Sequence, residues 1–284
     1  GTGHLCGHDG HTAILMGVAR ILSRQRPARG RVVLMFQPAE EIGAGAAAVI
    51  ADDRFASLAP DWAFSLHNLP GLPFGTVGLA DGPVTCASRG LKIRLAGKTS
   101  HASAPEAGVS PAPTLSRLIP ALTALGAGGP VVPGYRLVTV THARLGAEAF
   151  GIAPGEAELW VTLRTLLDDD MADLLFTAMD LAGTDADHAG LVVAFSHHDG
   201  FAASVNDPAA TQIFRAALAA EGMTVTDDGL PMRASEDFGR FGQLMLEDGE
   251  AFSGRRVLPP GWRDLAGQPD SAPTGFGWLM PGSP

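Results

Sequence analysis

The first 70 residues alternate between helical and strand patterns, and polar clusters stand beside the apolar runs. Residues 12–26 carry apolar side chains at helical spacing, with Asp9 or Thr12 as a candidate cap, whereas residues 31–36 and 62–66 are short apolar runs typical of buried strands. Strand–helix–strand order is typical of an open, mostly parallel sheet with helices on both faces. We therefore expect an α/β fold in which loops at strand ends carry the chemistry.

The cluster at residues 5–11 reads Leu-Cys-Gly-His-Asp-Gly-His. Cys6 and His8 are two residues apart, so both can face one point from a turn, and a thiolate with an imidazole suits a divalent transition metal. Alone, Cys6 would be read as a buried cysteine beside a helix cap. Asp9 and His11 could orient a ligand instead of binding an ion; we favour this for Asp9 and leave it open for His11.

Two further clusters follow the predicted strands at residues 31–36 and 62–66. Glu40 and Glu41 are adjacent and point in different directions, so one can bind metal while the other faces a substrate. The pair is equally well explained as two solvated acids at a helix start. His67 follows the next strand, and a lone histidine there is more often structural. The three clusters together predict one metal site.

A change of pattern between residues 83 and 89 indicates a second unit inserted into the first. From there to residue 197 the predicted order is strand, helix, strand, strand, helix, strand, which is that of a split βαβ sandwich. We expect a helix at 111–125 that Pro120 kinks or shortens. His101 follows a Gly-Lys-Thr-Ser turn in this unit and is either a donor brought to the site or a surface histidine.

Composition excludes other classes of protein. The 284-residue chain has a net charge of −10, which argues against binding a nucleic-acid backbone. Cys6 and Cys86 cannot form a disulfide framework and suit a reducing cytoplasm. No apolar run of about 18 residues exists, so we expect neither a membrane span nor a membrane partner.

The polar motifs together resemble the aminoacylase and carboxypeptidase-like dinuclear metallohydrolases. The most similar branch holds hippurate hydrolase, the N-acyl-amino-acid amidohydrolases and the indole-acetyl-amino-acid hydrolases. The resemblance covers most of residues 3–242. The motifs that carry it are Cys-Gly-His-Asp-Gly-His at 6–11, Gln-Pro-Ala-Glu-Glu at 37–41, Leu-His-Asn at 66–68, Gly-Lys-x-x-His-Ala-x-x-Pro at 97–105 and Ser-Glu-Asp-Phe at 235–238.

The resemblance implies a role for each matching residue. It implies two divalent ions per subunit, Mn2+ or Zn2+ or alternatively Ni2+ or Co2+, and hydrolysis of the amide bond of an N-acyl amino acid. Glu40 is implied as the general base, and His101 as a lid histidine that steadies the carbonyl oxygen. We add Arg164 as a candidate partner for the substrate carboxylate. The implied metal ligands are Cys6, His8, Glu41 and His67.

The resemblance also implies a domain plan. Residues 1–85 and 198–242 would form the metal-binding domain, and residues 86–197 a ferredoxin-like α+β lid through which a homodimer forms. The tail at 243–284 is rich in Gly and Pro without periodicity, and we expect it to be poorly ordered.

The sequence departs from the family at both ends. The chain begins without Met inside a motif, so we expect the first part of the metal domain to be missing, and no histidine follows Phe238 to supply the family's further ligand. Two alternatives to the metal-dependent hydrolase therefore stay open. One is an inactive family member that at most binds metal or dimerises, and the other is a hydrolase that uses Cys6 as its nucleophile with His8 or His11.

Overall fold

The computed structural model describes residues 5–58 and 60–242, together with the backbone of 276–279. The α-helices, in chain order, are α1 (His8–Arg24), α2 (Gly45–Ala51), α3 (Ala112–Ala124), α4 (Asp168–His188) and α5 (Pro208–Ala220). The strands are β1 (Ala63–Leu66), β2 (Thr76–Gly78), β3 (Gly82–Thr85), β4 (Ala87–Ala96), β5 (Ser100–His101), β6 (Arg136–Leu145), β7 (Ile152–Ala153), β8 (Glu156–Thr165), β9 (Val192–Phe201), β10 (Ser204–Asn206), β11 (Thr224–Thr226) and β12 (Phe276–Leu279). Short 3-10 turns occupy Glu40–Ile42, Phe55–Ser57 and Pro105–Ala107.

The largest sheet is antiparallel and has the strand order β6-β8-β4-β9. Buried and more exposed residues alternate along most of β8, because side chains on one face of the sheet enter the core and those on the other do not. Helices α3 and α4 pack against this sheet around a core that includes Leu91, Leu159 and Leu174. The long elements from β4 to β9 therefore follow the predicted order of strand, helix, strand, strand, helix, strand. The role of this unit as a lid or dimerisation domain stays a prediction.

The remaining strands form short pairs. Strand β1 pairs with β12, and β2 with β11, both in parallel, whereas β3 and β10 are antiparallel. The larger parallel sheet predicted for this part of the chain stays a prediction. Strand β9 runs to Phe201, so the domain boundary predicted at residue 197 falls inside a strand. The tail predicted at 243–284 lies outside the described residues, apart from the backbone of β12.

The strand predicted at residues 31–36 is wrong. The backbone there is irregular, and Val32 and Phe36 are 52% and 51% exposed. A strand needs a hydrogen-bonded neighbour, and no strand of the described ranges pairs with this segment. Its apolar composition alone therefore did not make it a strand.

Two helices also differ from their predictions. Helix α1 begins at His8 instead of residue 12, and its cap is Gly7, which has no side-chain capping hydrogen bond. The hydroxyl of Thr12 donates instead to the backbone oxygen of His8 at 2.9 Å, within the helix. Helix α3 continues past Pro120 to Ala124, so Pro120 does not shorten it, and the alternative of a kink stays a prediction. None of the helices in the described ranges is both long enough and apolar enough to cross a membrane.

Candidate metal centre

The first group of donor atoms comes from the start of α1 and the end of β1. Gly7 has a left-handed φ of 87°, which glycine adopts without strain, and this turn separates Cys6 from the first helical residue, His8. Cys6 Sγ lies 3.3 Å from Nε2 of His67, which directly follows β1. One donor atom from each of Cys6, His8 and His67 lies within 4.8 Å of the other two. Sulfur and two nitrogens therefore face a common point.

The second group shares His8 with the first. Nε2 of His8 lies 3.7 Å from Glu40 Oε2 and 3.7 Å from Glu41 Oε1, and the three donors lie within 4.8 Å of one another. The glutamates begin a single 3-10 turn, which follows Ala39 in the left-handed region at φ 61°. That conformation is costly for a residue with a Cβ, and such strain is often retained where it serves a site. The turn directs both neighbouring carboxylates towards His8.

His67, which follows β1, is oriented by a hydrogen bond from its second ring nitrogen. Nδ1 of His67 lies 2.7 Å from the backbone oxygen of Asn68, so Nδ1–H donates and Nε2 is directed towards Cys6. Histidine ligands of metal ions are commonly oriented by such a bond from the second ring nitrogen. His11 contacts the same residue, because its Nε2 lies 2.6 Å from Asn68 Oδ1 and 3.0 Å from Asn68 N.

Asp9 and His11, the two residues predicted to support the ligands, differ in burial and in contacts. His11 is half-buried beside Asn68, where burial and then the neighbouring His67 lower its pKa. Asp9 is exposed in the first turn of α1. Neither residue belongs to the two donor groups found in the described ranges.

Sequence reasoning gave no role to Glu236, although it singled out the Ser-Glu-Asp-Phe motif. Oε1 of Glu236 lies 3.5 Å from Nε2 of His67, and its side chain is only 13% exposed. Burial, followed by the negative charge of Glu40, raises its pKa well above the usual value for a carboxyl. The signal that could have found it was the motif itself, in which an acid directly precedes the buried Asp237.

Asp237 ties this motif to the glutamate turn. Its two carboxylate oxygens accept hydrogen bonds from Gln37 Nε2 at 2.8 and 2.7 Å, and Oδ2 also accepts from the backbone N–H of Ala46 at 2.8 Å. Gly45 makes this close approach possible, because a Cβ there would lie 2.5 Å from Gln37 Nε2. The Gln-Pro-Ala-Glu-Glu and Ser-Glu-Asp-Phe segments are thus fixed against each other.

The charges of the centre suit a bound cation. Burial, and then the carboxylate of Glu41, raise the pKa of Cys6 to about 11. Three glutamates and a thiol converge here on two histidines, so an uncompensated cluster favours protonation unless a positive charge enters. Thiolate, imidazole and carboxylate donors together suit Zn2+ or another divalent transition ion.

Two predicted residues lie outside the donor groups. His101 is exposed on β5, and its Nδ1 lies 2.7 Å from the hydroxyl of Ser103. Arg164 on β8 donates from Nη1 to the backbone oxygen of Arg233 at 3.0 Å and to Ser235 Oγ at 2.8 Å. Arg164 therefore reaches the segment that carries Glu236.

Several relatives of known name share much of this sequence. N-acetyl-L-cysteine deacetylase of Bacillus subtilis (strain 168) is 34% identical over 238 residues, which are 83% of this chain and 56% of that protein. Hippurate hydrolase of Campylobacter jejuni is 36% identical over 163 residues, covering 57% of this chain and 42% of the relative. The chain thus spans about half the length of these relatives.

Solved structures share the fold. The Bacillus subtilis YXEP protein, described as a dinuclear metal binding peptidase, superposes with a TM-score of 0.72 at 24% identity, over 100% of this chain and 65% of that chain. A putative aminohydrolase from methicillin-resistant Staphylococcus aureus gives a TM-score of 0.73 at 23% identity, over 99% of this chain and 66% of that one.

The sequence itself shows which family the chain belongs to. The pattern that defines Peptidase family M20/M25/M40 matches residues 1–259, most of the chain. The relatives named above are amidohydrolases, in agreement with the resemblance that the motifs indicated. This chain belongs to peptidase family M20/M25/M40, a family of metal-dependent amidohydrolases and peptidases.

Proposed function

We propose that this chain hydrolyses the amide bond of N-acyl amino acids by a metal-dependent mechanism. The observation that carries the proposal is the meeting of two donor groups at His8, one with Cys6 and His67 and the other with Glu40 and Glu41. Soft and hard donors arranged around a shared imidazole are expected of a centre for transition-metal ions.

In the proposed mechanism each residue has one task. Cys6, His8, Glu41 and His67 would hold two divalent ions, Mn2+ or Zn2+ being the first candidates and Ni2+ or Co2+ the alternatives. Bound there, such ions lower the pKa of a water molecule and polarise an amide carbonyl. Glu40 accepts the proton of the attacking water and passes it to the leaving amine. His101 would donate to the carbonyl oxygen from outside the centre.

The substrate class follows from chemistry and from relatives. Removal of an acyl group from an amino acid requires a water nucleophile, a base and a carbonyl-polarising group, and the centre can supply each of these. The relatives bear the names of a deacetylase and a hippurate hydrolase, and a third, IAA-amino acid hydrolase ILR1-like 5 of Arabidopsis thaliana, is 32% identical over 172 residues, 60% of this chain and 39% of that protein. Their common substrate element is an N-acylated amino acid, and hippurate is our first choice of substrate.

A cysteine-nucleophile hydrolase is the second candidate, because Cys6 Sγ lies 3.3 Å from a histidine nitrogen. Nucleophilic cysteines need a lowered pKa, however, and here burial and the nearby Glu41 raise the pKa of Cys6 to about 11. A bound divalent cation would itself stabilise the thiolate, so we favour Cys6 as a metal ligand. An inactive metal-binding or dimerising family member is the third candidate.

Metal analysis with an activity assay tests the proposal. The chain is loaded with Mn2+ or Zn2+, and bound metal and hydrolysis of hippurate and N-acetyl amino acids are measured before and after chelation. We expect about two ions per chain, loss of turnover on chelation and its return with the metal. Metal without turnover would identify the inactive member, and turnover that survives chelation but not thiol alkylation would identify the cysteine nucleophile.

We also propose a domain plan and a compartment. Residues 1–85 and 198–242 would form the metal-binding domain, and residues 86–197 a lid through which a homodimer forms. Both described cysteines are free thiols, which fits a reducing compartment such as the cytoplasm. Light scattering of the purified chain tests the dimer.

A further inference from the structure

The segment from Met232 to Asp237 runs beside β3 and the link between β3 and β4, and is hydrogen-bonded to them at Met232 and Ala234. The backbone N–H of Met232 donates to Val84 O at 2.8 Å, and the N–H of Cys86 donates to Ala234 O at 2.9 Å. These bonds fix the path of the backbone but leave the side chains beyond Ala234 to be placed by other contacts.

Arg164 supplies the next attachment. It projects from β8, opposite Ser88 of β4, and its Nη1 binds both the backbone oxygen of Arg233 and the hydroxyl of Ser235, at 3.0 and 2.8 Å. A charged donor makes these bonds stronger than neutral ones. Arg164 therefore attaches the segment to the large sheet immediately before Glu236.

The two residues after Ser235 enter the candidate centre. Glu236 Oε1 lies 3.5 Å from His67 Nε2, and Asp237 binds Gln37 and the backbone of Ala46. Ser235 is thus the last residue held by the sheet before the chain reaches the donor groups. Ser235 adjoins Glu236 in the chain, so a displacement of its backbone would also move the backbone of Glu236.

We propose that Arg164 is a positioning residue, which acts through Ser235 to fix Glu236 beside His67. Its effect on turnover rests on the proposed hydrolase function, whereas its effect on the segment does not. This role differs from binding the substrate carboxylate, which the sequence predicted for Arg164. The two roles have different consequences for Ser235, since only the positioning role needs it.

The first test is amide hydrogen exchange of the metal-free chain, comparing wild type with R164Q, R164K, S235A and the double variant R164Q/S235A. We expect faster exchange in peptides that contain residues 234–238 for R164Q and S235A, and recovery with R164K, which keeps a charged donor. The double variant should exchange no faster than R164Q, because both substitutions remove the same contact. R144Q, on the same sheet, is the control and should resemble wild type. Unchanged exchange at 234–238 in both R164Q and S235A would overturn the proposal.

The second test separates positioning from substrate binding. Positioning predicts that R164Q and S235A weaken Mn2+ affinity to similar extents, about tenfold or more, as for other residues that orient ligands. Any loss of turnover should be the same for an N-acyl amino acid and for its carboxamide analogue. A rise in KM confined to the free carboxylate, seen in R164Q but not in S235A and with unchanged Mn2+ affinity, would overturn the proposal. If wild type takes up no metal, the proposed function fails, and hydrogen exchange still decides the role of Arg164.

Discussion

Gln37 and Asp237 lie 200 residues apart in the chain, yet the amide of Gln37 donates to both carboxylate oxygens of Asp237. Asp237 is 2% exposed, and its carboxylate also receives the N–H of Ala46. This contact sets the glutamate turn, which begins three residues after Gln37, against the segment that carries Glu236.

Removing the carboxylate should therefore cost stability. We expect Asp237→Ala to lower the free energy of unfolding by about 2–3 kcal/mol, because hydrogen bonds to a charged group are lost and their donors stay buried. Urea denaturation measures the change. Asp53→Asn, at an exposed acid, is the control and should alter stability little. Equal stabilities of the two variants would show that the contact contributes nothing.

The two neighbouring glutamates should respond differently to the loss of charge. Glu40→Gln should retain metal and lower kcat by about 10²- to 10⁴-fold, as expected on removal of a general base. Glu41→Gln should instead lower metal occupancy. Metal content and turnover are measured on the same preparations. Loss of metal in Glu40→Gln with retention in Glu41→Gln would mean that the two roles are exchanged.

Replacing each of the two cysteines tests whether Cys6 binds metal, with Cys86 as the control. Cys6→Ala should reduce bound metal, because it removes the sulfur from the first donor group. Cys86→Ala, at a fully buried position in another cluster, should leave the metal content unchanged. Elemental analysis after dialysis gives the answer. Unchanged metal in Cys6→Ala would exclude this thiol from the centre.

The turn before α1 should be intolerant of a side chain. Gly7 has φ 87°, and a Cβ there would lie 2.7 Å from Asn68 Oδ1. Gly7→Ala should therefore destabilise the chain by at least about 1–2 kcal/mol from backbone strain alone. A Cβ at Gly10, in the first turn of α1, would meet no heavy atom within 4 Å, so Gly10→Ala should stabilise by about 0.5–1 kcal/mol. Thermal unfolding compares the two, and equal shifts would contradict the conformational argument.

We predict that stability depends on pH through Glu158, which lies outside the candidate metal centre. Burial opposes its ionisation, but hydrogen bonds from Lys92, Arg94 and Trp160 outweigh this and lower its pKa from 4.5 to about 2. The folded state thus prefers the ionised form, so the contribution of Glu158 is complete above about pH 4.5 and is lost as the pH falls towards 2.

Comparison of wild type with Glu158→Gln tests the predicted direction of the change in stability with pH. Wild type should be more stable than the variant at about pH 7, and the difference should shrink as the pH falls through about 4 and 3. Denaturant unfolding across this range measures it. Arg144→Gln, in a more exposed ion pair with Glu156, should show a smaller effect at about pH 7. A stability difference that grows on acidification would contradict the assignment.

The large sheet was predictable because its signal is local. In β8 the alternation of buried Leu159, Val161 and Leu163 with more exposed neighbours is written directly in the sequence. Residues 31–36 carry an equally apolar pattern without a strand, since pairing depends on a neighbour that composition does not specify. The start of α1 was missed because its first turn contains polar residues, which give no hydrophobic periodicity.

The candidate site, like the fold, was predictable where its signal is local and not where it depends on tertiary packing. The short motifs identified Cys6, His8, Glu40, Glu41 and His67, and the structure brings all five into two adjoining groups. Their individual roles stay predictions. The approach of Glu236 to His67 could not be predicted, because it depends on how segments distant in the chain pack together. The same holds for Arg164, whose contact with Ser235 comes from tertiary packing across 71 residues.

The separation of Gln37 from Asp237 also bears on the order of folding. Residues 6–67 leave the ribosome well before residue 237, and every donor of the two groups is made before the large sheet exists. Asp237 is made only after that sheet, and contacts across such long loops close slowly because they carry a large entropic cost. A nascent chain therefore cannot fix the glutamate turn against the segment that carries Glu236 until residue 237 has been synthesised.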